Sequence, residues 1–366
     1  AAGQEDLPAA DGLSRQRSPF WGIRQERTGA MVSSSERRTM TAPCLEAECK
    51  SDQQIAADFL SYLQSEFEDP VAYEVEPTRL TGGFDARLYR YQLVDQEPRV
   101  LRIQRPQRKE EELLYQQFVY QTLNQQGLKT PVIHHVCGDK SILAGVFAVM
   151  DLLPGRTVFE LAPELHAKVL GESMATMHEM DVRPIVEAFR QSDVPDELYL
   201  SPINHQKALD SLEEAHPWAS ELIGWLRTHL PLEGRDLAVI HGDYHGNNVM
   251  FDNGSVSGVL DWWFSISDPA VDLAHTMNVY LIFARQIDPT MSPHLWDQIM
   301  DGALKVYQSV RPLNHEHIKA FRVFHLFGVF TAGATGVGLE FMRKPESQRD
   351  YLSFIEQATG LRLSPP

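Results

Sequence analysis

The sequence predicts an α+β fold with a small β-rich lobe followed by a larger, mainly helical lobe. Residues 71–153 are mostly strand-like with one helix, residues 154–366 carry five segments of helical length and periodicity, and a β-like island interrupts those helices at 237–261. A chain of 366 residues with 43% hydrophobic side chains can bury the cores of two such lobes. We therefore expect an N-terminal lobe over 51–153, a C-terminal lobe over 154–366, and before them a segment over 1–50 that is a disordered tail or derives from upstream sequence.

The elements of the N-terminal lobe follow from hydrophobic periodicity and turn residues. Apolar side chains at helical spacing from Ile55 to Phe67 predict a first helix that begins near Asp52. Proline and glycine turns separate the strand-like segments after it, and Gly127 follows a second helical segment as a stop. The predicted strands span 71–80, 87–94, 99–104, 132–137 and 142–151, and the second helix spans 110–126.

The C-terminal lobe is predicted to consist of helices around the island. The island has two apolar strands joined by Asp252-Asn253-Gly254, in which Asn-Gly is typical of a tight hairpin turn. The helices are predicted over 163–180, 204–230, 269–283, 293–310 and 315–330.

Composition and charge exclude several classes of protein. The 33 basic and 50 acidic side chains give a net charge of −17, which disfavours a nucleic-acid binder because such a protein needs basic side chains against the phosphates. The longest uncharged segment, 323–339, is shorter than the roughly 20 apolar residues that cross a bilayer. Three cysteines are too few for a disulfide-stapled secreted domain. We expect a cytoplasmic protein without nucleic-acid or membrane partners, and its oligomeric state stays open.

Three polar side chains of the island have the chemistry that phosphoryl transfer requires. Asp243 and Asn248 share one loop after an apolar strand, and Asp261 ends the far arm of the hairpin, which brings it beside the first two. A carboxylate can act on an acceptor hydroxyl, and Mg²⁺ takes a few protein oxygens while leaving its other positions to water and phosphates. His245 lies in the same loop, where contact with phosphate or substrate and support of the loop are both open. His178, on a predicted helix, is expected to brace the loop.

The island resembles the aminoglycoside phosphotransferase and choline kinase superfamily, whose loop runs His-Gly-Asp-x-x-x-x-Asn. His241-Gly242-Asp243 and Asn248 match that loop, Asp261-Trp262 matches the metal-binding aspartate, and Asp272 matches an aspartate that helps to hold the loop. The resemblance implies a two-lobed protein-kinase-like fold and Mg²⁺-dependent transfer of the γ-phosphoryl group of ATP or GTP to a small-molecule alcohol. It assigns Asp243 as the catalytic base or substrate-orienting carboxylate, and Asn248 and Asp261 as the magnesium ligands.

The same resemblance implies nucleotide contacts from the N-terminal lobe. Gly82, Gly83 and Phe84 lie in a segment similar to the family's phosphate-covering turn, and Met150 and Leu152 lie in a segment similar to its hinge, where backbone groups would meet adenine. The nucleotide would then lie between the two lobes.

Arg102 departs from the family pattern, which normally has a lysine on the third strand. Arginine can hold phosphate oxygens through two parallel hydrogen bonds, so the replacement is compatible with nucleotide binding. The partner of Arg102 on the following helix is Glu111, Glu112 or Gln116, and the sequence does not decide among them.

The acceptor is not identified by the sequence. The resemblance implies that the C-terminal helices build its pocket, and those helices are rich in aromatic residues. Aromatic residues at helical spacing belong more often to a core than to a pocket, so they favour a less polar alcohol over an aminoglycoside only slightly. Choline, homoserine, thiamine and macrolides all stay open.

Two alternative functions remain. The replacements at Arg102 and Gln116 are compatible with a non-catalytic nucleotide-binding module on a kinase-like scaffold, although such a module would not need Asp243, Asn248 and Asp261 together. Residues 242–246 also fit the Gly-Asp-x-His-Gly string of metallophosphoesterases, but the later motifs of those enzymes are missing after it.

Overall fold

The computed structural model describes residues 50–66, 70–80, 86–234, 236–287, 292–335 and 339–366. These residues form two compact units. The β-rich unit extends from residue 50 to 153 without 126–129, and the helical unit consists of 126–129 and the chain from Pro154 onwards. The predicted α+β class is confirmed.

The β-rich unit is one antiparallel sheet with three helices. Its elements are α1 (Asp52–Glu66), β1 (Tyr73–Arg79), β2 (Ala86–Leu93), β3 (Arg99–Gln104), α2 (Glu110–Gln125), β4 (Ile133–Cys137), α3 (Lys140–Leu143) and β5 (Phe147–Asp151). The strand order is β1-β2-β3-β5-β4, so β3 is central and pairs with both β2 and β5.

The core of this unit forms where α1 covers one face of the sheet. Ile55, Phe59 and Leu63, which recur at helical spacing, are the buried side chains of α1. The Phe59 ring meets the rings of Tyr91 and Phe147 edge-on, with centroid distances of 5.1 and 6.0 Å. The apolar stripe predicted from the sequence is therefore the face that anchors α1.

The helical unit contains the predicted β island. Its elements are β6 (Arg156–Thr157), α4 (Pro163–His178), α5 (Arg183–Gln191), α6 (Ser201–Ala215), α7 (Ser220–His229), β7 (Ala238–Ile240), β8 (Val249–Asp252), β9 (Ser255–Val259), β10 (Ser265–Ser267), α8 (Ala270–Asn278), α9 (Ala284–Ile287), α10 (Pro293–Gln308), α11 (His315–Ala334) and α12 (Pro345–Thr359). A π-helical turn, Val279–Phe283, joins α8 to α9.

The island consists of two small antiparallel sheets. One pairs β6, β8 and β9, and the other pairs β7 with β10. Asn253 and Gly254 both have positive φ, at 46° and 83°, as a type I′ hairpin turn between β8 and β9 requires.

Two predicted segments were wrong in their extent. The strand predicted over 142–151 begins only at Phe147, because Asp139 caps a short helix, α3, by accepting a hydrogen bond from the Ser141 amide. The helix predicted over 204–230 is two helices, α6 and α7, which are separated at His216-Pro217. Proline disfavours the helical conformation of the residue before it, and His216 accordingly has φ −132°.

Several elements were not predicted at all, among them α5, α12 and β10. Helices α5 and α12 each carry a proline in their first turn, Pro184 and Pro345, a start signal that the periodicity reading missed. Strand β10 has three residues and is recognisable only by its pairing with β7. No helix within the described ranges is long and apolar enough to cross a membrane.

Candidate active site

The candidate site is the loop 241–248 between β7 and β8, together with the end of β9. Strand β7 is fully buried and paired with β10, so the start of the loop is anchored in the core. Val249 on β8 pairs with Val259 on β9, and the Leu260 amide donates to the carbonyl of Asn248 at 2.7 Å. Leu260 is therefore the partner of Asn248 across the hairpin, and Asp261 is the next residue along the chain.

Asp272 on α8 holds the start of the loop. It is fully buried, and its two carboxylate oxygens accept the backbone amides of His241 and Gly242, each at 2.8 Å. His178 Nε2 lies 3.2 Å from the same carboxylate and its Nδ1 lies 2.9 Å from the Tyr307 hydroxyl. Burial acts to raise the pKa of Asp272, but the hydrogen bonds to His178 and to the loop leave it below its usual value. The structure thus places Asp272 and His178 as supports of the loop, as expected.

Three further side chains of the same helical face contact the loop. The Thr276 hydroxyl donates to the carbonyl of Tyr244 at 2.7 Å, and the Tyr280 hydroxyl accepts the Gly246 amide at 3.0 Å. His275 Nε2 lies 2.8 Å from Oδ1 of Asp243. Residues 272, 275, 276 and 280 recur at the spacing that lines one face of a helix, so α8 and the turn after it fix the whole loop.

The carboxylate of Asp243 is surrounded by polar donors while its side chain stays 35% exposed. Besides His275, its neighbours are His245 Nε2, at 3.4 Å from Oδ1, and Asn248 Nδ2, at 3.3 Å from Oδ2. Burial acts to raise the pKa of Asp243, yet the hydrogen bonds from His245 and His275 hold that pKa well below its usual value. Asp243 is therefore an ionised, oriented carboxylate.

His241 is a structural residue of the loop and not an acid or base. It is fully buried, its Nδ1 accepts the Asp243 amide at 3.1 Å, and its Nε2 donates to the carbonyl of Leu260 at 2.7 Å. Burial lowers the pKa of His241, so the ring is neutral and carries its proton on Nε2. The His241 ring therefore hydrogen-bonds both to the backbone of Asp243 and to the backbone of Leu260, the residue before Asp261.

The oxygens of Asn248 and Asp261 fit a magnesium ion. Asn248 is buried, and its Nδ2 donates to the Asp243 carbonyl at 2.9 Å, so its Oδ1 points away from that bond and accepts no hydrogen bond from the described residues. Asp261 has φ +52°, a conformation that costs free energy outside glycine and concentrates at functional sites. An amide and a carboxylate oxygen on adjacent backbone segments are the hard ligands that Mg²⁺ takes together with nucleotide phosphates.

The predicted nucleotide contacts lie in the β-rich unit. Gly82, Gly83 and Phe84 fall outside the described residues. Met150 is buried on β5, where it pairs with Val100, and Leu152 follows the strand with its side chain partly buried.

Arg102 lies on the central strand, β3. Its Nη1 donates to Oε1 of Gln116 on α2 at 3.3 Å, whereas Glu112 pairs with Arg108 at 2.7 Å. Among the three partners that the sequence left open, Gln116 is the one in contact with Arg102.

His275 and Tyr280 were missed by sequence reasoning. Their signal was present, because both follow Asp272 at helical spacing, but only the packing of α8 against the loop shows that this face is used. Most aromatic residues of the C-terminal helices are buried, including Tyr280, Trp296 and Phe327, as expected for core.

The metallophosphoesterase alternative predicts a cluster of metal-binding side chains at the site. Such an enzyme needs clusters of metal-binding carboxylates and imidazoles. Within the residues that the structure describes, no group of three His, Cys, Asp or Glu side chains is arranged to hold a metal ion.

Comparison with known proteins agrees with the geometry. A family model described as the phosphotransferase enzyme family matches residues 76–313. The chain is 26% identical over 178 residues to acyl-CoA dehydrogenase family member 10 of Mus musculus, a match that covers 45% of this chain and 16% of the relative. It is 34% identical over 110 residues to homoserine kinase of Gluconobacter oxydans, covering 30% of this chain and 28% of that enzyme. The matches thus span less than a third of either relative.

A solved structure extends the likeness to the fold. Ethanolamine kinase of Plasmodium vivax superposes with a TM-score of 0.54 at 13% identity, over 83% of this chain and 86% of that one. At this identity the likeness concerns the fold, and the predicted kinase-like fold is confirmed.

Proposed function

The chain belongs to the phosphotransferase enzyme family, and from this premise we propose that it transfers the γ-phosphoryl group of ATP or GTP to the hydroxyl of a small-molecule alcohol in a Mg²⁺-dependent reaction. The observation that carries the proposal is the arrangement around Asp243. An ionised carboxylate, 35% exposed, lies on a loop that also carries Asn248 and that four side chains of α8 and the π-helical turn after it hold in place. The backbone of Leu260, the residue before Asp261, pairs with Asn248.

Asp243 would orient the acceptor hydroxyl and accept its proton. Among the described residues, Oδ1 of Asp243 is contacted by His275 and, at 3.4 Å, by His245, while Oδ2 has the one longer contact from Asn248. Because phosphoryl transfer has a loose transition state, most of the rate enhancement comes from positioning and charge neutralisation, and less from proton abstraction. The carboxylate is therefore needed chiefly to hold the hydroxyl in line with the phosphoryl group.

Asn248 and Asp261 would hold the magnesium ion, which when bound neutralises the charge of the nucleotide phosphates. Arg102 would contribute a further positive charge to phosphate oxygens, steadied by its hydrogen bond to Gln116. We propose that Gly82, Gly83 and Phe84 cover the phosphates and that the backbone at Met150 and Leu152 meets the base of the nucleotide.

The donor and the metal are tested by thermal denaturation with ATP or GTP, with and without Mg²⁺. A ligand at 100 times its Kd stabilises the folded state by about 2.7 kcal/mol, which raises Tm measurably. The variant is Asp261→Asn, because asparagine tolerates the positive φ of this position whereas alanine would add backbone strain. We expect a metal-dependent rise of Tm in the wild type that is lost in Asp261→Asn. An undiminished rise in the variant would contradict the metal role of Asp261.

Turnover is tested by measuring ADP or GDP release with a panel of alcohols that includes homoserine and ethanolamine. The panel begins with homoserine because a homoserine kinase is among the relatives. Acceptor-stimulated release identifies the acceptor. Nucleotide binding without release for any alcohol or for water would favour the non-catalytic nucleotide-binding module.

A further inference from the structure

Building on the proposed function, we propose that His275 is a positioning residue for the reaction: it donates a hydrogen bond to Oδ1 of Asp243 and so turns Oδ2 towards the acceptor hydroxyl. The Nε2–Oδ1 distance of 2.8 Å is that of a well-formed hydrogen bond. The His275 side chain is only 14% exposed, so water competes little for the bond.

The proton of this hydrogen bond belongs to His275. An ionised carboxylate has no hydrogen to donate, so Nε2 of His275 must be protonated for the two atoms to lie 2.8 Å apart. In this state the imidazole cannot remove a proton from Asp243 through the same nitrogen. The contact therefore orients the carboxylate and does not relay its proton.

The His275 ring is itself held by a second histidine. The ring of His325 on α11 lies against it with centroids 4.6 Å apart and planes inclined by 32°. Burial, with the neighbouring His275, keeps the pKa of His325 well below its usual value, so the supporting ring is neutral. A neutral ring can pack against His275 whatever charge His275 carries.

His325 is fixed in turn by a fully buried asparagine on α8. Asn278 Nδ2 lies 3.2 Å from Nδ1 of His325, and Asn278 Oδ1 accepts from Nε of Arg322 at 2.9 Å. Because arginine can only donate, this second bond settles which end of the amide is the oxygen, and Nδ2 must donate to His325. A buried amide costs free energy unless its groups are paired. Here the pairing sets the orientation of the imidazole that supports His275.

His245, the other histidine at Asp243, does not have this arrangement. Its Nε2 is 3.4 Å from Oδ1, a longer contact than the 2.8 Å of His275, and its Nδ1 accepts the Asn247 amide of its own loop at 3.3 Å. His245 belongs to the loop itself, whereas His275 contacts the loop from a separate helix, α8. Of these two histidines, His275 is therefore the one that can fix the carboxylate relative to the helices of the unit.

The test compares His275→Gln with His275→Leu in the full chain. The amide nitrogen of glutamine can occupy the place of Nε2 and donate to Asp243, whereas leucine fills the space without a donor. The readouts are kcat and KM for Mg·ATP, or for Mg·GTP if that is the donor, with water and homoserine as acceptors, together with Tm.

We expect His275→Leu to lower kcat about 10–100-fold, since misplacement of a reacting group on the scale of 1 Å can cost about 10²-fold. KM for the nucleotide and Tm should stay close to wild type, and His275→Gln should recover most of kcat. Wild-type kcat in His275→Leu would overturn the proposal. So would equal losses in both variants accompanied by a lower Tm, because that pattern indicates a structural role.

A spectroscopic measurement separates failure of this proposal from failure of the proposed function. In protein labelled with ¹⁵N-histidine, the His275 Nε2–H signal, assigned by its loss in His275→Gln, should be slow to exchange in the wild type and exposed to exchange in Asp243→Ala. A wild type that shows this signal but neither binds nucleotide nor turns it over would overturn the proposed function and with it the catalytic meaning of the contact. An active wild type without a protected signal would overturn the His275 proposal alone.

Discussion

The backbone amide of Leu260 donates to the carbonyl of Asn248 at 2.7 Å. This bond lies at the open end of the β8–β9 hairpin, opposite its turn. Asn248 ends the loop that carries Asp243, and Leu260 precedes Asp261. Backbone pairing thus places the two proposed metal ligands on adjacent segments of the hairpin.

Asp243→Asn should lower kcat by about 10²–10⁴-fold, because the amide has one accepting oxygen fewer to hold the acceptor hydroxyl and cannot accept its proton. Nucleotide-dependent stabilisation should persist, since Asp243 is not a proposed metal ligand. The measurement is steady-state release of ADP or GDP beside the thermal shift. Asp301→Asn, which removes the same charge from an exposed position on α10, is the matched control and should match wild type. Near-full turnover in Asp243→Asn would refute the assigned role.

Asp272→Asn should destabilise the fold by about 1–3 kcal/mol, because an amide has one accepting oxygen for the two loop amides that Asp272 now binds. The free energy of unfolding in urea measures the loss. We also expect kcat to fall, since His241 and Gly242 begin the loop that carries Asp243. Unchanged stability would mean that the loop amides find other partners.

Gly246→Ala and Gly224→Ala should act in opposite directions. A Cβ at Gly246 would lie 2.8 Å from the Phe159 ring and 2.9 Å from the Tyr280 hydroxyl, so the crowding should cost about 1–3 kcal/mol. A Cβ at Gly224, within α7, meets no atom within 4 Å, so alanine there should stabilise by about 0.5–1 kcal/mol. Urea unfolding of both variants is the measurement, and a stabilised Gly246→Ala would contradict the close packing of the loop.

Acidification should destabilise the protein before its carboxylates titrate. Burial lowers the pKa of His205 and of His166 from 6.5 to about 4. The unfolded chain therefore binds more protons than the folded one between pH 6.5 and 4, and stability present above pH 6.5 is lost as the pH falls through this window. Each such histidine adds a slope of up to about 1.4 kcal/mol per pH unit.

Urea unfolding at a series of pH values between 7 and 4.5 measures this slope. His205→Phe replaces the ring in its aromatic surroundings, Phe321 and Phe324, and should reduce the slope by up to one proton. An equal slope in wild type and variant would show that His205 is protonated in the folded state.

The sequence by itself determined the fold class and the residues of the loop. Helices such as α1 and α2 have a clear apolar period, and Asn253-Gly254 is a residue pair that readily adopts the positive φ angles of a tight hairpin turn. Both kinds of element were therefore predicted close to their observed bounds. Asp243, Asn248 and Asp261 could be singled out because they lie close together along the chain, within one hairpin.

Only the tertiary structure decided which distant residues meet that loop. The contact of His275 with Asp243 and of His325 with His275 joins α8 and α11 to the loop, and no periodicity encodes which helical face packs where. Strand β10 likewise exists only through its pairing with β7. Local pattern records the preferences of neighbouring residues, whereas these contacts depend on how whole elements pack, because the free energy that fixes them comes from burial and hydrogen bonds across the chain.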